Sequence, residues 1–233
     1  IGGNLWLKMG RRNIINAIDL SSLGLDKIEE DEGGFRIGCM ATLHDIETHE
    51  GLNKEFQNLF KEAVRHIVGV QFRNCATIGG SIFPKLGFSD VLTAFLACDT
   101  QVILYKKGEV PLREFIYIPT DNDILTHLYV KKDGRKTAYE SFRMTETDFP
   151  TITCAMAKTQ DGFETVLGAR PKHAEVVVDE VVADAFSSEE VSDYAKRVIG
   201  KLQYGSNIRG SEQYRKQLSK VLIGRCISRL TEE

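Results

Sequence analysis

Residues 71–90 read Gln71-Phe-Arg-Asn-Cys-Ala-Thr-Ile-Gly-Gly-Ser-Ile-Phe-Pro-Lys-Leu-Gly-Phe-Ser-Asp90. No other stretch is so dense in groups that can present N–H and O–H donors to an anion: Thr77, Gly79, Gly80 and Ser81 fall within five positions. Without a Cβ, Gly79 and Gly80 let the backbone turn sharply and approach a ligand closely. Successive N–H groups in such a turn form a concave nest suited to phosphate oxygens. Ser89-Asp90 then opens the apolar run Val91 to Cys98 as an N-cap pair opens a helix. Two readings stand at this point. One is a diphosphate held by the loop with Asp90 beside a sugar hydroxyl; the other is a plain Gly-Gly turn between two elements.

Working outward, Gly2-Gly3 near the start of the chain is a second glycine pair. The chain begins directly at this turn with Ile1, and the reading expects a preceding segment. Asn13 to Asp19 reads as a short strand. Lys27 to Glu30 and Phe35 to Gly38 flank Asp31-Glu32-Gly33-Gly34 as a hairpin. Thr42 is a candidate cap for the helical segment that follows it. Phe56, Leu59, Phe60, Ala63, Val64 and Ile67 lie at helical spacing and predict one amphipathic helix over Asn53 to Ile67. Thr100 to Tyr105 and Ile124 to Lys131 alternate as strands do. The hydrophilic turn Lys132-Asp133-Gly134-Arg135 is the expected domain boundary. Beyond it, Tyr139 to Phe142, Thr151 to Lys158 and Phe163 to Ala169 predict three antiparallel strands. His173 to Val182 then leads into a helix over Ser188 to Gly200, and Ser211 to Leu230 is a long final helix.

Composition narrows the function. At 233 residues the chain can bury one large core or two modest ones. A formal net charge of −3 gives no reason to expect nucleic acid. No apolar run approaches the roughly 18 residues of a membrane span, and the opening residues lack a basic-then-apolar leader pattern. Five scattered cysteines without a CxxC argue against a disulfide framework, zinc or an iron–sulfur cluster within this chain, and favour a reducing cytoplasm. The five histidines are also scattered. No nucleophile elbow, P-loop or Gly-x-Gly-x-x-Gly fingerprint occurs. If the chain takes part in catalysis, a bound cofactor has to carry the chemistry.

The segment Arg73-Asn74-Cys75-Ala76-Thr77-Ile78-Gly79-Gly80-Ser81-Ile82, followed by Ser89-Asp90, resembles the FAD-binding subunit of molybdopterin-dependent hydroxylases, the family of xanthine, nicotinate and aerobic carbon monoxide dehydrogenases. Other segments in matching order carry the likeness across nearly the whole chain. Ile1-Gly2-Gly3-Asn4-Leu5 is similar to an Ala-Gly-Gly-Thr-Asp loop, Arg36 to Leu43 to an Ile-Gly-Ala-x-x-Thr-Leu segment, and Asn207 to Arg215 to an Asp-x-Arg-Gly-Ser-x-x-Tyr-Arg signature. Asn4, Leu5, Ser81 and Ser141 depart from the family, which has Thr, Asp, Asn and Lys there.

The resemblance implies an α/β plus α+β fold of the vanillyl-alcohol-oxidase-like type. An FAD-binding domain over residues 1–132 would precede a C-terminal domain over 136–233 that holds a three-stranded antiparallel sheet with helices. It implies an FAD diphosphate bridging Gly2, Gly3, Asn4 and Leu5 on one side and Ala76, Thr77, Gly79, Gly80 and Ser81 on the other. Asp90 with Ser89 would meet ribityl or ribose hydroxyls, Ile67 and Val68 would line the adenine or ring cleft, and Ile124 and Leu125 would lie beside the isoalloxazine. The implied function is electron transfer. Molybdopterin and a 2Fe–2S cluster would sit on a large and a small partner subunit, purine or a related N-heterocycle would be oxidised there, and the flavin would pass electrons to NAD or another acceptor. A stand-alone FAD-linked oxidase and a scaffold that has lost FAD are the alternatives.

Overall fold

The computed structural model describes residues 1–11, 13–180 and 186–231. A short helix, α1 (Leu5–Met9), opens the chain, followed by the hairpin of β1 (Ile28–Glu30) and β2 (Gly34–Gly38). Asp31 closes that hairpin by accepting from the N–H groups of Gly33 and Gly34, both at 2.8 Å. The helices α2 (Leu43–Thr48), α3 (Glu50–Glu55), α4 (Leu59–Val64), α5 (Val70–Arg73), α6 (Ile78–Ile82) and α7 (Asp90–Leu96) follow in a continuous run. A second hairpin, β3 (Thr100–Leu104) and β4 (Gly108–Pro111), leads through the one-turn α8 (Leu112–Phe115) to β5 (Leu125–Lys131). The five strands make one antiparallel sheet in the order β1-β2-β5-β3-β4.

After residues 132–135 the chain builds a second antiparallel sheet from β6 (Lys136–Phe142), β7 (Ile152–Thr159) and β8 (Gly162–Gly168). β9 (Glu175–Asp179) adds a fourth strand at its edge. The rest of the stretch read as leading from His173 to Val182 passes out of the described residues at 181. The long helices α9 (Ser188–Gly200) and α10 (Glu212–Thr231) cover one face of this sheet. α10 buries Leu222, Ile223, Cys226, Ile227 and Leu230 against Ile152, Cys154 and Met156 of β7. The fold is therefore mixed α and β, with antiparallel sheets and packed helices. No helix among the described residues is long and apolar enough to cross a membrane.

The two sheets share a core. α7 is buried along its whole length, and its cluster takes in Phe35 and Ile37 from the first sheet and Tyr139, Ala155 and Val166 from the second. Thr93 of α7 and Thr153 of β7 meet hydroxyl to hydroxyl at 2.9 Å with no solvent exposure. Arg135, on the crossing segment, donates to the Ala97 carbonyl at 2.6 Å and to Glu164 at 3.0 Å.

Two segments differ from their reading in the sequence. Asn13 to Asp19 forms no strand: Ile14, Ile15 and Ile18 are exposed and no sheet edge pairs with them. The helix expected over Asn53 to Ile67 is broken at Gln57 and Asn58, whose φ angles of 45° and 62° are left-handed and cannot continue a right-handed helix. Buried Asn53 holds the break together. Its Nδ2 donates to the carbonyls of Ile46, Glu47 and His49, while its Oδ1 accepts from the Lys61 N–H at 3.1 Å.

Candidate functional site

The two glycine pairs, far apart in sequence, are in contact. A Cβ placed on Gly2 would lie 2.4 Å from Thr77 Oγ1, and one on Gly3 would lie 1.6 Å from the Cys75 carbonyl oxygen. Any side chain at either position would push the loops apart. Asn4 continues the first loop in a left-handed conformation at φ 59°, which asparagine tolerates better than most residues. The N–H groups of Gly2, Gly3 and Asn4 donate to no acceptor among the described residues. They form a run of uncommitted donors on the first loop.

On the second loop the donors are already engaged. Thr77 caps α6, its Oγ1 accepting from the Gly80 N–H at 3.2 Å. The N–H of Ile78 goes to Ala41 O, that of Gly79 to Cys39 O and that of Ser81 to Thr77 O. The N–H groups of Gly79, Gly80 and Ser81, read as a phosphate nest, are thus engaged within the protein. Gly79 is a packing glycine, since a Cβ there would come within 2.8 Å of the Cys39 side chain. Gly80 is exposed, and a Cβ on it would meet only Thr77 Oγ1, at 3.0 Å. The outward offering of this loop is the Thr77 hydroxyl proton and the bare surface of Gly80. Ala76, half-buried, accepts from Leu43 through its carbonyl, which with the Thr42–Thr77 bridge fixes the loop against α2.

Ser81 and Ser89 do structural work. Ser81 Oγ donates to Thr77 O, while Ser89 Oγ donates to Ser81 O at 3.2 Å and caps α7 by accepting from Leu92 N. Asp90 is 5% exposed, and its Oδ1 accepts from Tyr139 Oη and from Arg143 Nη2, both at 2.5 Å. Burial pushes the Asp90 carboxyl up, against the pull of Arg143 and Tyr139. Asp90, read as meeting a sugar hydroxyl, makes an ion pair that joins α7 to the residue just after β6.

Ile67 and Val68 lie in the turn before α5. Val68 holds φ at 51°, a left-handed conformation that a β-branched side chain rarely adopts, and stays 53% exposed. Arg73 clamps this turn. Its Nη1 donates to the carbonyls of Arg65 and Ile67, and its Nε donates to Glu47 at 2.8 Å. Leu125 sits in the hydrophobic core at 5% exposure, while its neighbour Ile124 is half-buried and paired through its carbonyl with Tyr105 N. Leu125 is thus held by core packing beside Ile124 on the strand that runs under α6.

Arg73, Tyr139 and Arg143 are the site's neighbours that the residue reading left out. Arg73 stands inside the segment that opened the reading. The alternation Tyr139, Ser141, Arg143 could have shown three polar groups on one side of a strand.

Bare glycine backbone, a run of uncommitted N–H groups and an adjacent hydroxyl suit a phosphate-bearing ligand. The comparisons agree with that chemistry. A family model described as FAD binding domain in molybdopterin dehydrogenase matches residues 2–130. The chain is 26% identical over 242 residues to the glyceraldehyde dehydrogenase medium chain of Sulfolobus acidocaldarius, covering 95% of this chain and 86% of that one. It is 24% identical over 215 residues to the Escherichia coli protein YgfM, covering 89% and 77%. The solved carbon monoxide dehydrogenase from Hydrogenophaga pseudoflava shares the fold with a TM-score of 0.82 at 20% identity, over 99% of this chain and 88% of that one.

Proposed function

The chain belongs to the family of FAD-binding domains in molybdopterin dehydrogenases, and from that premise we propose that it holds FAD between its two glycine loops as the electron-carrying subunit of a molybdenum hydroxylase. It is the flavin subunit of an oxidoreductase, and FAD is its cofactor. The observation that carries the site is the contact of Gly2 and Gly3 with Thr77 and Cys75, together with the N–H groups left uncommitted there.

In this reading the N–H groups of Gly2, Gly3 and Asn4 bind the diphosphate, and Thr77 donates its hydroxyl proton to it. Leu5, Ala76, Gly79 and Ser81 shape the two loops, and Gly80 leaves room for the ligand. Ile67 and Val68 form an apolar wall, and Ile124 and Leu125 back the ring region. Ser89 and Asp90 hold the floor in place. Bound FAD supplies reversible two-electron storage. In this reading the protein meets the diphosphate with backbone dipoles instead of lysines. Residues 1–132 carry the flavin in this reading, and residues 136–233 form the C-terminal part that closes on it.

The electrons come from a small 2Fe–2S subunit fed by a large molybdopterin-binding subunit. No group of three or more possible metal ligands occurs among the described residues. Purine or a related N-heterocycle as substrate, and NAD as acceptor, rest on the family resemblance alone. Expression of the full chain followed by a visible spectrum tests the reading. Flavin absorption that survives gel filtration is the expected result, and a colourless protein after incubation with FAD would overturn it. Recovery of molybdenum and iron with the tagged chain from its native host checks the partners.

A further inference from the structure

The segment from Asn207 to Arg215 belongs to neither glycine loop, yet its contacts lead to one of them. Arg215 is 1% exposed and reaches inward from α10. Its Nη1 donates to the carbonyls of Thr151 and Ala169, beside the start of β7 and the end of β8, and its Nη2 donates to Asn207 Oδ1. The same Asn207 oxygen accepts from the Arg209 N–H at 2.9 Å, and Asn207 and Gly210 exchange two backbone hydrogen bonds at 3.1 Å. The turn is thereby fixed to the second sheet. It presents Arg209, whose Nη2 lies 2.8 Å from Asp148 Oδ1 and whose guanidinium lies 5.0 Å from the centre of the Phe149 ring.

Phe149 carries the contact on to the first glycine loop. Its ring stacks on Trp6 at 5.5 Å, with 28° between the planes. Phe88 lies 4.4 Å from Phe149 and 6.0 Å from Trp6, so the three rings form one cluster. Trp6 stands two residues after Asn4, on α1. That helix has five residues, none of them buried, and its cap residue Asn4 makes no side-chain capping bond. A helix this short does not hold itself together in water. Gly2 and Gly3 are restrained by Thr77 and Cys75, and the residues after them by the seat of Trp6 on Phe88 and Phe149.

Resting on the reading that the first glycine loop holds the FAD diphosphate, we propose that Arg209, with its supports Asn207 and Arg215, is a clasp on that loop. Through Asp148 and Phe149 it seats Trp6, and so fixes the direction of the N–H groups of Gly2, Gly3 and Asn4. Arg209 is a positioning residue here and touches no ligand. The C-terminal part of the chain thus sets the affinity of a loop that lies about 200 residues earlier.

Trp6 is the only tryptophan of the chain, so its emission reports the clasp directly. In the FAD-free full chain, Arg209→Met should move that emission to the red and speed amide hydrogen exchange over residues 2–6. In titrations with FAD the same variant should raise the dissociation constant about threefold to tenfold, the size of one aromatic or cation–ring contact, with the spectrum of the bound flavin unchanged. Arg209→Lys keeps a cation for Asp148 and Phe149 and should recover most of both effects. Ile208→Ser, at a 96% exposed position on the same turn, should produce neither. Phe149→Leu keeps apolar bulk but removes the ring, and should repeat both changes even where Arg209→Met folds poorly. Unchanged exchange and emission in the folded variants would overturn the clasp, and altered exchange with unchanged FAD affinity would overturn its part in binding. A wild-type chain that takes up no FAD would overturn the flavin reading instead, with exchange and emission still deciding the clasp.

Discussion

Glu47 Oε2 lies 2.8 Å from Arg73 Nε across 26 residues of chain, and this pair secures the turn that carries Val68. Burial works to raise the Glu47 carboxyl, but the hydrogen bonds from Arg73 and His44 and their charges hold it below its ordinary value of 4.5. A carboxylate whose pKa is depressed by folding adds stability above its unfolded pKa and loses it as pH falls through the folded value. Denaturant unfolding at about pH 7 and about pH 4 should therefore show a loss in the wild type that Glu47→Gln makes shallower. Arg73→Met, which strands the buried partner, should cost about 3 kcal/mol at neutral pH.

The two glycines of the second loop should respond differently to the same methyl. Gly80→Ala faces only the Thr77 hydroxyl at 3.0 Å and should fold with nearly unchanged stability while losing FAD affinity. Gly79→Ala drives a carbon to 2.8 Å from the Cys39 side chain and should cost about 1–3 kcal/mol whether or not FAD is present. Melting temperatures measured with and without FAD separate the two effects.

Relief of strain at Val68 sets up an opposing pair of effects. Glycine adopts a φ of 51° freely, so Val68→Gly should raise the stability of the FAD-free chain by about 1 kcal/mol. The same change removes exposed apolar surface from the cleft wall, so the dissociation constant for FAD should rise. A variant that is both more stable and unchanged in FAD binding would take Val68 out of the wall.

Asn53 is the buried link between α2, α3 and α4. Asn53→Ala removes the side-chain donor to the Ile46 and Glu47 carbonyls and the acceptor of the Lys61 N–H, and should cost about 2–3 kcal/mol, measured by urea unfolding. Asn53→Asp should fare as badly, because a carboxylate cannot donate to those carbonyls.

Local signals were the legible ones. Thr42 and Ser89 cap α2 and α7 as their sequence positions indicate, because a cap depends on residues three positions away. The final helix and the first hairpin follow from periodicity for the same reason. The break at Gln57 and Asn58 was hidden because Phe56, Leu59, Phe60 and Ala63 keep a helical spacing across it and all pack into the core. Only the tertiary hydrogen bonds of Asn53 show why the chain turns there.

In the site, the glycine pairs were visible as residue types, but the direction of their N–H groups was not. Ile78 and Gly79 give theirs to Ala41 and Cys39, on a segment brought alongside by folding. The family likeness located both loops. It did not show that the free donors lie on the first of them, or that Asp90 is engaged by Arg143.

The threonine pair Thr93 and Thr153 bears on how such a chain can be inherited. The hydrophilic segment 132–135 looks like a natural seam for exchanging the two halves between related genes. A crossover there would part Thr93 from Thr153, Arg113 from Glu164 and Asp90 from Tyr139, and would leave α7 facing a foreign sheet. Recombinants should survive only when both parents carry the same contacts across that seam, so the two halves evolve as a matched pair.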